Sequence, residues 1–195
     1  MRECGVLAGK VVRLEPLAES HIEGLAVAAS EDRATYDWTP VPDGVDGTRA
    51  YVRAVLEMQR EGETIPFAQV RVADGAPVGV TRYLTLRPHA VEIGGTWLGA
   101  SAQRTPVNTE AKLLLLTNAF ETWNLGRVDF KTDARNDRSR NAIARLGATF
   151  EGVLYNWQES HAAGEDGKLR DSAMFSITDV QWPAVKAGLE DRLTR

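Results

Sequence analysis

An α+β or α/β fold of three layers is what the order of elements in this chain predicts, a run of antiparallel strands being followed by alternating strands and helices. Three observations lead there. Alternating runs at Phe67–Val72, Pro77–Leu86 and Val91–Gly99 follow one another, and the turn residues Ala73-Asp74-Gly75 join the first two as a hairpin. From Glu92 to Gly152 the chain then reads strand, polar loop, helix, strand, helix, glycine. Finally, 195 residues with 43% hydrophobic and 26% charged side chains can build one substantial core, so a single domain spanning 1–195 is expected.

Taken in order, Val11–Leu17 reads as a strand and Ser20–Ser30 as a helix, with Ser20 as its cap. Pro40–Gly47, rich in Pro, Gly and Asp, is expected to be a loop. Thr48–Arg60 is expected to be a helix, with Tyr51, Val55 and Met58 on one face. The polar segment Gln103–Asn108 leads into a long helix. There Ala111, Leu114, Leu115, Ala119, Phe120 and Trp123 recur at helical spacing, while Glu110, Thr117, Asn118, Glu121 and Asn124 are left for polar surroundings. Two starts are open for it: Thr105 as N-cap with Pro106 in the first turn, or Asn108 as the cap one turn later. Asp137–Leu146 reads as a further helix, Gly152–Ser160 and Leu169–Thr178 as strands around a hairpin tip at Ala162–Gly167, and Trp182–Leu193 as the last helix.

Composition and spacing also exclude. A net charge of −4 argues against a surface organised around nucleic acid, which requires a basic face. His21, His89 and His161 have no paired spacing with acids or with the single cysteine, Cys4, so no metal site is expected. One cysteine cannot form an intrachain disulfide, and nothing near Cys4 would activate it as a nucleophile. The longest aliphatic stretch, Leu113–Leu116, is far too short for a bilayer, and the start of the chain lacks the basic flank and apolar core of a secretion signal. The expected location is cytoplasmic.

The turn at Gln103–Asn108 is the most informative segment. Free amides and the positive end of a helix dipole converge at such a point, which suits a phosphate group. Pro106 removes one N–H from it, and Arg104 and the Asn108 side chain are expected to help offset that loss. There is no Gly-Lys-Ser/Thr ending, so nucleotide hydrolysis by a Walker loop is a distant reading.

The segment Gln103-Arg104-Thr105-Pro106-Val107-Asn108 resembles the phosphate loop of the GNAT family of acyl-CoA-dependent N-acetyltransferases, with Pro106 and Asn108 in place of small residues. Asn136-x-x-Ser139, Arg145-Leu146-Gly147-Ala148 and Glu151-Gly152 are similar to that family's second cofactor segment, and the wording is nearest the RimJ/RimL-like, ribosomal-protein branch. This resemblance implies a GNAT fold, a mixed and mostly antiparallel sheet flanked by helices with splayed central strands, and acetyl-CoA as cosubstrate, without metal. It implies cofactor contacts from Leu98, Gly99, Gln103, Arg104, Thr105, Val107, Asn108, Asn136, Ser139 and Arg145, and an acceptor pocket built from the early helices, where Tyr36 and Trp38 stand. For Trp38 a place in the core is the alternative.

The chemistry sets further requirements. An amine attacks a thioester only when neutral, so a base must take its proton. Glu92 is the candidate, its bland alternative being a carboxylate that solvates a strand end; an extra residue between Glu92-Ile93-Gly94 and Trp97-Leu98 calls for a bulge at Gly94-Gly95. The tyrosine that many GNAT members use to protonate the leaving thiolate is absent from Asp137–Leu146, and Ser139 is the substitute that the branch suggests. The expectation is therefore direct acetyl transfer to a primary amine, of a protein N-terminus or a small molecule, in a ternary complex. An acyl-CoA sensor without turnover is the rival. The apolar stripe Val185, Leu189 and Leu193 leans towards a homodimer, unless it caps the chain's own sheet.

Overall fold

The computed structural model describes residues 4–162 and 164–194, so Ala163, within the expected hairpin tip, lies outside the described residues. An eight-stranded sheet runs in the order β1-β2-β3-β4-β5-β6-β8-β7. Its strands are β1 Leu7–Ala8, β2 Val12–Pro16, β3 Thr64–Arg71, β4 Pro77–Leu84, β5 Ala90–Leu98, β6 Arg127–Asp133, β7 Thr149–Glu159 and β8 Leu169–Thr178. All neighbours are antiparallel except β5 and β6. Those two need a crossover, and α3, Pro106–Thr117, supplies it.

On one face lie α1 (Ile22–Ser30) and α2 (Gly44–Arg60), packed over Ala68, Val70, Val80 and Trp97. On the other, α3, α4 (Asp137–Arg145) and α5 (Trp182–Thr194) cover Phe67, Tyr83, Ile93 and Phe130. Helix α2 begins inside the expected loop, at Gly44: the stretch after Pro42 has no further proline, and the Thr48 hydroxyl bonds back to the Gly44 carbonyl at 2.7 Å. Ahead of α1, a short turn at Glu19–His21 is entered from Ala18, not Ser20; the His21 ring accepts the Ala18 amide at 3.1 Å and also meets Glu15 at 3.2 Å.

Two residues expected to face polar surroundings, Glu110 on α3 and Asn118 just after it, are buried instead. Glu110 is buried because its carboxylate accepts the amides of Lys10, Val11 and Val12 at 2.9, 2.6 and 2.8 Å, anchoring the turn between β1 and β2. Asn118 is buried because its amide reaches the Tyr83 hydroxyl at 3.2 Å, which in turn donates to the Leu115 carbonyl at 2.6 Å. The helix runs on into a π-helical turn at Asn118–Thr122, where Phe120 stacks on Trp182 at 5.3 Å. That contact, with a 2.8 Å bond from the Trp182 indole to Glu121, docks α5. Of the stripe expected on α5, Val185 and Leu189 are buried in the chain's own core and Leu193 is half-buried, so most of it caps the domain's own sheet.

Candidate active site

The cleft follows from the sheet. β5 and β6 pair only at Ala90/Arg127, Val91/Val128 and Glu92/Asp129. Beyond Glu92 they part, and among the described residues no strand pairs with β5 on that side. Between them opens a cavity of about 750 Å³, bordered by Glu92 to Leu98 of β5, the starts of α3 and α4, and Tyr36 and Trp38 from the other face.

A bulge shapes the free strand. Thr81 of β4 stands opposite both Gly95 and Thr96, since Val80 pairs with Trp97 and Arg82 with Gly94. Gly95 holds φ +54°, the left-handed region that favours glycine, and a Cβ there would lie 2.3 Å from the Arg82 Nε, so that side chain would have to shift for any other residue. The bulge thus falls at Gly95-Thr96, one position later than expected. It also changes parity: Ile93 and Leu98 both face the α3 side, while Trp97 faces α1 and α2. Thr96 is thereby turned towards α3.

On the α3 side, Thr105 is the N-cap, its hydroxyl 3.4 Å from the Val107 amide, with Pro106 in the first turn. Of the two starts this is the earlier. Asn108 reaches the cleft, Val107 is buried in the core, and Arg104 is exposed with φ +58°. Gln103 ties the walls together: its amide donates to the carbonyl of Leu98 at 2.8 Å and to Thr35 Oγ1 at 3.0 Å, and its carbonyl accepts from Arg138. Asn136 caps α4, accepting the Ser139 amide at 3.0 Å, and both residues line the cleft. Gly99, Arg104, Thr105, Val107 and Arg145 do not line it; Arg145 ends α4 at a small hollow against α5.

On the opposite face Glu92 is buried, with Thr85 Oγ1 at 3.3 Å and Lys131 Nζ at 3.4 Å. The Tyr36 hydroxyl donates to the Leu98 carbonyl at 3.1 Å. Trp38 borders the cavity beneath the Arg135 guanidinium, 4.7 Å from its ring centre, and is not part of either core cluster. His161 joins this wall, and burial together with the charge of Arg170 holds its imidazole below the usual pKa. Cys4 lies elsewhere, and burial pushes its thiol up to about 11, leaving it a poor nucleophile at neutral pH. Among the described residues no cluster of His, Cys, Asp and Glu could hold a metal, and no helix is long and apolar enough to cross a membrane.

Sequence reasoning missed Lys112. It lies one turn beyond Asn108 on α3, 5% exposed, and lines the same cleft. Its ammonium donates to Thr81 Oγ1 at 3.0 Å and Thr96 Oγ1 at 2.8 Å, and the two hydroxyls are 2.8 Å apart. Among the described residues no carboxylate lies within 4 Å of it. Burial pulls its pKa down from the usual 10.5 to about 7. The only sequence signal was a charged residue beside Ala111 on the apolar side of the helix.

A strand parting beside a helix start, with a second capped helix across the gap, defines a fold that takes an extended phosphate-bearing ligand between two strands. The sequence comparison makes the class specific. Residues 12–149 match the acetyltransferase (GNAT) domain, and the chain belongs to this family of N-acetyltransferases. A GCN5-related N-acetyltransferase from Brucella melitensis superposes with TM-score 0.86 at 27% identity, covering 97% of this chain and 86% of that one. A protein from T. thermophilus assigned as an acetyltransferase gives 0.85 at 34% identity over 99% of both chains. RimJ of Mycobacterium smegmatis, solved with CoA-disulfide, shares the fold at TM-score 0.77 and 24% identity, covering 96% of this chain and 91% of that one. No curated protein matches the sequence.

Proposed function

We propose that the protein, acting as one domain, transfers the acetyl group of acetyl-CoA to a primary amine by direct attack in a ternary complex. The observation that carries this is the unpaired edge of β5 beyond Glu92, lying between the amide-rich start of α3 and the capped start of α4. The pyrophosphate belongs at Arg104 to Asn108, with Thr105 shaping that turn and Val107 anchoring it in the core. The pantetheine arm runs along Leu98 and Gly99 towards Asn136 and Ser139, and Arg145 is the outermost candidate, for the adenosine end. The acceptor enters from the face of Tyr36 and Trp38. There Glu92, paired with Lys131 at 3.4 Å, takes the amine proton, directly or through water.

The rival, a sensor that binds acyl-CoA without turnover, is favoured by Pro106 and by the lack of a tyrosine on α4. A thiol-release assay over a panel of protein N-terminal peptides, amino acids, polyamines and aminoglycosides, run beside acetyl-CoA calorimetry, separates the two. Release with at least one amine supports the enzyme; tight binding with release for none supports the sensor.

A further inference from the structure

Lys112 is a buried cation in this cleft that the proposed reaction leaves without a role. Its surroundings come from every element around it. β4 supplies Thr81 and β5 supplies Thr96, both through hydroxyls. α4 brings Ser139, Ile143 and Leu146 to the same cleft. The carboxylates of neighbouring segments are engaged elsewhere: Glu110 holds the amides of Lys10, Val11 and Val12, and Glu92 pairs with Lys131 on the other face of the sheet. Hydroxyl partners matter. A carboxylate would lock the lysine as a cation, whereas a threonine hydroxyl accepts from an ammonium and, by rotating, donates to a neutral amine. The site is therefore built to hold Lys112 in either protonation state.

Its position suggests what the proton is for. Nζ sits beneath the bulge, within the stretch of β5 that pairs with β4 but not with β6, where the thioester end of an extended acyl-CoA would pass. We propose that Lys112 is the acid that protonates the departing thiolate, in place of the tyrosine that this chain lacks on α4. This rests on the acetyltransfer reading above. The neutral amine nitrogen forms its bond to the carbonyl carbon, and the tetrahedral adduct collapses with the C–S electron pair leaving on sulfur. A proton passes from Lys112 Nζ to sulfur, giving the free thiol and a neutral lysine. The proton lost by the attacking nitrogen goes to Glu92 or water, and Lys112 is reprotonated from solvent. A pKa brought near neutrality by burial makes both halves of that cycle accessible.

The test uses the amine found active in the thiol-release assay and the variant Lys112→Met, which keeps length and apolar packing. kcat should fall about ten- to a hundredfold, with acetyl-CoA affinity within about twofold by calorimetry. The alkaline limb of the wild-type kcat profile should be missing from the variant. Thr96→Val removes one acceptor of the ammonium and should move that limb to lower pH, a readout that survives if Lys112→Met does not fold. Wild-type kcat and an unchanged profile in Lys112→Met would overturn the proposal. So would a loss confined to acetyl-CoA affinity, which would make Lys112 a binding group. A wild-type protein that releases thiol with no amine refutes the underlying reading instead, and is distinguishable from either result.

Discussion

At the scale of single residues, two buried charges in the cleft have opposite energetics. Glu92 has a counter-ion, Lys131, at 3.4 Å, and a neutral isostere leaves that lysine unpaired without changing shape. Glu92→Gln should lower turnover about ten- to a hundredfold at neutral pH while leaving acetyl-CoA affinity nearly unchanged; equal rates across pH would remove it as the base. Among the described residues Lys112 has no counter-ion, and its buried charge burdens the fold. The unfolded chain holds that proton up to about 10.5 and the folded chain only below about 7, so between these values the unfolded state binds more protons and stability rises with pH. Below 7 the burden is constant. Lys112→Met should therefore stabilise the protein by ~2–4 kcal/mol at pH 6, an advantage that shrinks to nothing by about pH 10.5, as denaturant titrations at the two pH values would show. The Thr81 and Thr96 hydroxyls remain paired with each other after the change.

At the scale of elements, the site depends on one inserted residue and two helix starts. Without the bulge at Gly95-Thr96, Thr96 would share a face with Glu92 and could not meet α3. Gly95→Ala places a methyl in a left-handed conformation against Arg82; a loss of ~1–3 kcal/mol in chemical denaturation is expected, and an unchanged midpoint would mean that the bulge relaxes freely. The need for a bulge was legible in the Gly94-Gly95 pair, and the Thr105-Pro106 start of α3 in standard capping chemistry. The strand and helix order was legible because periodicity is local. What could not be read were the inward roles of Glu110, Lys112 and Asn118. Each is a polar residue on the buried side of α3, and each is satisfied by a partner distant in sequence: the 10–12 amides, Thr81 with Thr96, and Tyr83. The start of α2 at Gly44 was hidden for a different reason, since glycine and aspartate signal a loop until a helix docks them.

At the scale of the whole molecule, the splay of β5 and β6 lets one cleft reach residues on both faces of the sheet, and the proposed reaction uses one face for the cofactor and the other for the acceptor. Assembly follows from what the faces leave exposed. The edges of the sheet are the two-residue β1 and the long β7, where Tyr155 and Trp157 are 78% and 53% exposed on an irregular stretch of strand. We propose that a homodimer forms through the β7 edge: light scattering should show a dimer that Trp157→Lys dissociates, and a wild-type monomer at micromolar concentration would end that proposal. The central claim, direct transfer from acetyl-CoA to an amine, is tested most directly by following acetyl groups by mass spectrometry on acceptor and protein in the same reaction. The account predicts that the acceptor gains one acetyl group per thiol released while the protein carries none at any time during turnover. Acetylation of Cys4 or Lys112 ahead of product, or bound acetyl-CoA with no acetylated amine, would contradict it.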